Sequence, residues 1–218
     1  MGKMRQRMEE ELRLRNYAER TIATYTSIVA RLVGYYHWLP EDLGTEEICA
    51  YLLHFCERQV SWSLFNQTVC ALRFFYLRVL ERPWEVERIP YQRTRKRKLP
   101  PVLTEPEVVA LIAAATDLKQ RAILMGLYSA GLRLNELIHL QVVDIESQTM
   151  RIRVREAKGG RERYVMLSAR LLTTLRRYYR EYRPFWWLFY GGEKNQPIQP
   201  WAVQRIVCRA GERAGLGR

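Results

Sequence analysis

The sequence predicts a mainly α protein in two parts, a four-helix bundle followed by a smaller α+β portion with a small antiparallel β-hairpin. Three observations predict it. Apolar residues recur at helical spacing through residues 4–82, prolines frame a basic run at 83–101, and near residue 150 the apolar period changes to two. The chain has 218 residues, 48% of them hydrophobic, which is enough to bury real cores and excludes a disordered basic tail.

A short leading helix is expected over 4–14. The second runs from Thr21 to Trp38, with Ile22, Tyr25, Ile28, Val29, Leu32 and Tyr36 on one face. Thr45 is read as the cap of the third, with Glu46 and Glu47 in its first turn and Ile48, Tyr51, Leu52 and Phe55 following. Ser61 to Leu80 makes the fourth, and few glycines interrupt the region, so residues 1–83 form one helical bundle. Pro83, Pro90, Pro100 and Pro101 then frame Arg93-Thr94-Arg95-Lys96-Arg97-Lys98. This reads as an extended basic linker over 84–100, because proline holds its predecessor extended and the charges resist burial.

The second part, 101–218, opens on Thr104-Glu105-Pro106-Glu107, a capping box that starts a helix over 104–115. Asp117 caps another that ends at the Gly131 break, and a short helix follows over 134–140. Met150, Ile152 and Val154 alternate with Arg151, Arg153 and Arg155, and Tyr164 to Leu167 return across Lys158-Gly159-Gly160, which makes a hairpin. Ser168 caps a helix to Tyr182 that Pro184 stops, and Pro200 opens a last one through Arg213.

Net charge is +13, unevenly spread. Residues 1–82 hold 11 basic and 10 acidic side chains, 83–100 hold 6 and 2, and 101–218 hold 19 and 11. A basic joint and a basic second part point to a polyanion, of which nucleic acid is the commonest. Cys49, Cys56, Cys70 and Cys208 form no Cys-x-x-Cys pair, and no signal peptide or apolar run of roughly 20 residues is present. The expectation is a soluble cytoplasmic protein.

His37, His54 and His139 are far apart and read as ordinary helix residues, so no metal is expected, and neither a phosphate-gripping loop nor a Gly-x-Ser-x-Gly elbow occurs. Asp144 and Glu146 read as solvated caps. Two segments carry more. Tyr128 to Leu137 places Arg133 after a Gly131 turn at the start of a helix, where free amides and the helix dipole would add to the guanidinium fork on an anion. The alternative is an exposed arginine with Glu136 as its local partner. Arg155-Glu156-Ala157-Lys158-Gly159-Gly160-Arg161-Glu162-Arg163 is a cationic hairpin tip on which a lysine can act as general acid and arginines can hold phosphates. The alternative is a solvated β-turn.

Taken in order, Gly131-Leu132-Arg133-x-x-Glu136-Leu137, Asp144, the Arg-rich strand, Lys158-Gly159-Gly160-Arg161-Glu162-Arg163 and a following Leu171-Leu172 helix resemble the tyrosine recombinases of the phage-integrase family. The likeness is strongest to Xer-type and integron- or transposon-associated members. Thr21-Ile22-x-x-Tyr25 and Ala71-Leu72-Arg73-Phe74-Phe75-Tyr76 are similar to that family's SAM-like core-binding bundle. Residues from 101 resemble the front of its α+β catalytic domain. The resemblance implies a clamp on double-stranded DNA that needs no cofactor, no small-molecule substrate and no membrane, and that assembles as a homo-oligomer on DNA. A tyrosine attacks the scissile phosphate to form a 3′-phosphotyrosyl link. Arg133 would be the first catalytic arginine and Lys158 the donor to the 5′-oxygen. Candidate DNA contacts are Arg73, Arg93, Arg95, Lys96, Arg97, Lys98, Arg161 and Arg163, with Asn66 and Gln67 as possible base readers.

The family also uses a His-x-x-Arg box and a tyrosine nucleophile near its C terminus. The residues three after His37, His54 and His139 are Pro40, Glu57 and Val142, and Tyr164, Tyr178, Tyr179, Tyr182 and Tyr190 precede the expected place of the box. The expectation is a chain truncated relative to the family and inactive alone. A non-enzymatic DNA-binding regulator or competitor stays open beside it, and a metal-dependent transposase or nuclease is a third class.

Overall fold

The computed structural model describes residues 2–93, 102–157 and 161–216, without the side chains of 84–86, 156, 157 and 161. It divides into two compact units, 1–99 and 100–218.

In the first unit, α1 (Gly2–Leu14), α2 (Glu19–Tyr36), α3 (Thr45–Glu57) and α4 (Trp62–Phe74) stand where helical spacing put four helices. Met8, Leu12, Ile28, Leu32, Ile48, Val69, Leu72, Phe75 and Tyr76 close a single core between them. Tyr76 is fully buried, and its hydroxyl lies 3.2 Å from the Pro40 carbonyl and 3.3 Å from that of Leu43, which ties the α2–α3 connection to the core.

Three details differ from expectation. Gly44, not Thr45, occupies the cap of α3, where its N–H donates to Glu47 Oε2 at 2.9 Å. The fourth helix does not run regularly to Leu80. Residues Phe75–Val79 form a π turn, with the Leu80 N–H donating to the Phe75 carbonyl. The segment expected to be extended from residue 84 begins as a short helix, α5 (Pro83–Arg88), because proline suits a first helical turn, and Ile89 beyond it is buried in the first core. The ends of these segments are built without glycine: Asn16, His37 and Gln59 follow α1, α2 and α3, and Glu81 follows the π turn, with left-handed φ values of 56°, 56°, 50° and 58°.

The second unit contains α6 (Glu105–Ala113), α7 (Leu118–Ser129), α8 (Leu134–Ile138), β1 (Ile145–Glu146), β2 (Arg151–Ala157), β3 (Arg161–Met166), α9 (Ala169–Tyr182) and α10 (Pro200–Arg213). The caps match the sequence. Glu107 accepts from the Thr104 N–H at 2.8 Å, Asp117 accepts from the Gln120 N–H at 2.8 Å, and Ser168 Oγ accepts from the Leu171 N–H at 3.2 Å.

The hairpin is part of a three-stranded antiparallel sheet in the order β1-β2-β3, with Ile152 opposite Val165 and Arg153 opposite Tyr164. Met150, expected in the strand, instead takes a left-handed φ of 52° just before it, and its carbonyl accepts from the Leu167 N–H. One face of the sheet, carrying Ile152 and Val154, packs with Ile123, Leu137, Leu171, Leu175, Tyr178 and Phe189 into the second core. No helix among the described residues is long and apolar enough to cross a membrane.

Candidate functional site

Arg133 follows a turn that only a few residue types can make. Gly131 has φ of +57°, a left-handed conformation that is strained for residues with a Cβ. Gly126, one turn before the end of α7, lets α8 approach so closely that a Cβ there would meet Leu137 Cδ1 at 3.1 Å. The turn therefore brings α8 against α7 and leaves Arg133 at its entrance. Gly131→Ala is expected to cost about 1–2 kcal/mol, read as a lowered thermal midpoint. An unchanged midpoint would show the turn to be indifferent to φ.

Arg133 is held at its root and open at its tip. Its N–H donates to Glu136 Oε2 at 2.9 Å and its Nη1 to Glu136 Oε1 at 2.8 Å, while the Arg133 side chain is 60% exposed and that of Glu136 only 2%. From β3, Arg163 Nη2 donates to Glu136 Oε2 at 2.7 Å. Two cations thus share one buried carboxylate, and the locus stays positive. Burial pushes the Glu136 carboxyl up, but hydrogen bonds from Arg163 and from the Arg133 backbone and side chain outweigh it and hold the group below its ordinary value. Arg163 Nε is itself buried without a hydrogen-bond partner among the described residues.

At the start of α8, a helix of five residues, the Arg133 N–H is not free as expected but is taken by Glu136. Asp144 is not a solvated cap either. It caps the Gln141 N–H at 2.9 Å, but it is 1% exposed and accepts from Arg155 Nε at 2.7 Å. Between these pairs lies a cavity of about 230 Å³ lined by Glu136, His139, Asp144, Arg155 and Trp187. Arg153 also lines this cavity and pairs with Glu162, donating from Nη2 at 2.9 Å to both carboxylate oxygens.

The remaining candidates scatter. Arg73 Nη1 donates to the Ile89 carbonyl at 2.9 Å and its guanidinium lies 5.0 Å from the Tyr91 ring centroid. Asn66 Nδ2 donates to the Trp62 carbonyl and its Oδ1 accepts from the Gln92 N–H. Gln67 and Arg93 are exposed. Lys158, Arg95, Lys96, Arg97, Lys98 and the side chain of Arg161 lie outside the described residues. No group of three or more His, Cys, Asp or Glu side chains that could hold a metal occurs among the described residues. Sequence reasoning read Glu136 only as a local partner and missed its bond to Arg163. The available signal was the two-residue period of β3, which puts Arg163 on the inward face with Val165.

Residues 4–86 match the phage integrase N-terminal SAM-like domain and residues 101–218 match the phage integrase family. A Sinorhizobium fredii chain named as an integrase/recombinase is 36% identical over 219 residues, a stretch covering 100% of this chain and 71% of that one. An Escherichia coli integrase/recombinase is 34% identical over 216 residues, 96% of this chain and 62% of its own. The solved structure of a lambda integrase(75–356) dimer bound to a COC′ core site matches at a TM-score of 0.73 and 19% identity, covering 99% of this chain and 82% of that one, a likeness of fold. The chain therefore belongs to the phage integrase family of tyrosine recombinases, the proteins of DNA recombination and integration.

Proposed function

We propose that this chain binds duplex DNA in the cytoplasm, as part of a homo-oligomer, and that Arg133 faces the phosphate at which strands are exchanged by the family's phosphotyrosyl route. The arrangement of Arg133 over Glu136 carries the reading. A phosphorane-like transition state gathers negative charge on its equatorial oxygens, and a donor fixed in advance stabilises that charge without reorganising. Arg133 fits this part. Its root is pinned by a buried carboxylate, and one Nη1 bond leaves most of its five N–H donors free for phosphate oxygens. Lys158, on the neighbouring hairpin in sequence, would give its proton to the 5′-oxygen as the P–O bond breaks.

The covalent step needs a tyrosine and a second box, and within these 218 residues no histidine is followed three residues later by arginine. The later tyrosines fit packing or surface roles. Tyr178 is buried and donates to the Leu188 carbonyl at 2.9 Å, while Tyr190 donates to the Tyr182 carbonyl at 3.2 Å. Tyr164 and Tyr179 are exposed on β3 and α9. We therefore assign these residues DNA occupancy without strand cleavage, and the same observation favours a second reading, a competitor that covers recombination sites. A suicide duplex carrying a nick beside the target phosphate tests this. The expected result is a salt-sensitive complex that dissociates on a denaturing gel. A covalent adduct would overturn it.

A further inference from the structure

Residues 89–92 follow α5 and lie along α3 and α4 under a row of side chains. Ile89 is buried in the first core, and its carbonyl accepts from Arg73 Nη1 at 2.9 Å. Tyr91 carries the Arg73 guanidinium over its ring, and its hydroxyl lies 3.9 Å from Cys70 Sγ. At Gln92 both backbone groups are taken. The N–H donates to Asn66 Oδ1 at 3.1 Å and the carbonyl accepts from Trp62 Nε1 at 3.2 Å, as a neighbouring strand would do. The Gln92 side chain adds a contact from Nε2 to Cys56 Sγ at 3.2 Å. Gln92 is also the last residue before Arg93, the first cation of the 93–98 run.

We propose that Ile89–Gln92 is a strap whose docking fixes where the cationic run leaves the first bundle, and that Trp62, Asn66 and Arg73 are positioning residues for DNA binding rather than readers of bases. The inference rests on the DNA-binding reading above. A cationic segment binds according to how many phosphates it neutralises, less the chain entropy spent in placing it. The strap acts on the second quantity alone. Releasing it keeps every cation but adds Ile89–Gln92 to the chain that must be ordered on binding, so affinity falls while the number of displaced counterions stays constant. Arg73 contributes through a carbonyl and a ring in its own unit.

The experiment titrates the full chain with a fluorescein-labelled mixed-sequence duplex across a series of KCl concentrations. Asn66→Ala and Trp62→Phe are expected to weaken binding by about 3–10-fold at fixed salt with an unchanged salt slope, whereas Arg93→Gln lowers the slope by about one. Gln92→Pro, which removes the donor without altering any bundle side chain, should match Asn66→Ala and guards against loss of fold, which circular dichroism monitors. In the absence of DNA, alkylation of Cys70 by iodoacetamide, mapped by mass spectrometry, should accelerate in these variants. Unchanged Cys70 reactivity, or unchanged affinity despite faster alkylation, would overturn the proposal. A slope lowered by one in Arg73→Gln would make Arg73 a phosphate contact and overturn its part. A wild-type chain without salt-dependent binding overturns the DNA reading and the positioning role with it, while Cys70 alkylation still reports whether the strap docks, so the two failures are told apart.

Discussion

Replacing Glu136 with alanine is expected to destabilise the second unit by about 2–4 kcal/mol at neutral pH, less than the full penalty for deleting one partner of a buried ion pair because both arginine heads reach solvent. The variant leaves Arg163 and Arg133 facing each other without the carboxylate that now accepts three hydrogen bonds from them. Hydrogen exchange at the amides of α7 and α9 measures the loss within this unit alone. Protection that falls by under tenfold, about 1.4 kcal/mol, would show the carboxylate to be dispensable.

The same group sets a pH dependence. Glu136 is held below its ordinary value in the folded chain, so its stabilisation is fully present above the unfolded carboxylate value of about 4.3 and fades as pH falls toward the folded one. Glu136→Gln should flatten that acid limb.

The second large effect is expected at Tyr178. It is fully exposed to neighbours and not at all to water, stacked 4.9 Å from the Tyr182 ring centroid and tilted 5.6 Å from that of Phe189. Tyr178→Ala empties this space and should cost about 3–5 kcal/mol. Tyr178→Phe keeps the ring but leaves the Leu188 carbonyl without its donor and should cost about 1–2 kcal/mol. Both are read from the same amide exchange, and equal losses in the two variants would mean that the hydroxyl, not the ring, holds α9 to the 184–190 segment. Burial also raises the Tyr178 hydroxyl above the ordinary tyrosine value, which suits a structural donor and opposes ionisation to a nucleophile.

How much could be read in advance follows from what each feature depends on. Thr104, Asp117 and Ser168 are local signals, each satisfied within three residues, and the helices they start stand where the sequence put them. The alternation from Ile152 to Val154 and the Gly131 break are equally local. The two-residue strand β1 has no period to detect, and it exists because β2 offers it a partner. The π turn at Phe75–Val79 looks helical in any apolar pattern.

At the site, Arg133 was legible from the family's box, but the sharing of Glu136 joins residues 27 apart in sequence and the Asp144–Arg155 pair joins residues 11 apart. Neither spacing is a helical or turn spacing, so only the fold reveals them. The bonds that Arg73 and Asn66 make within their own unit were hidden for a related reason. Their partners, Ile89 and Gln92, belong to a segment that prolines and charge marked as linker.

The left-handed residues Asn16, His37, Gln59 and Glu81 bear on how the first bundle folds. A residue with a Cβ in that conformation costs more than glycine would, which offsets part of what the carbonyl-satisfying bonds at these helix ends contribute. Helices of 13 to 18 residues are marginal alone in water. Their stability therefore rests mainly on the shared core of Leu32, Ile48, Leu72 and Phe75. The bundle therefore forms and opens as one cooperative piece rather than helix by helix.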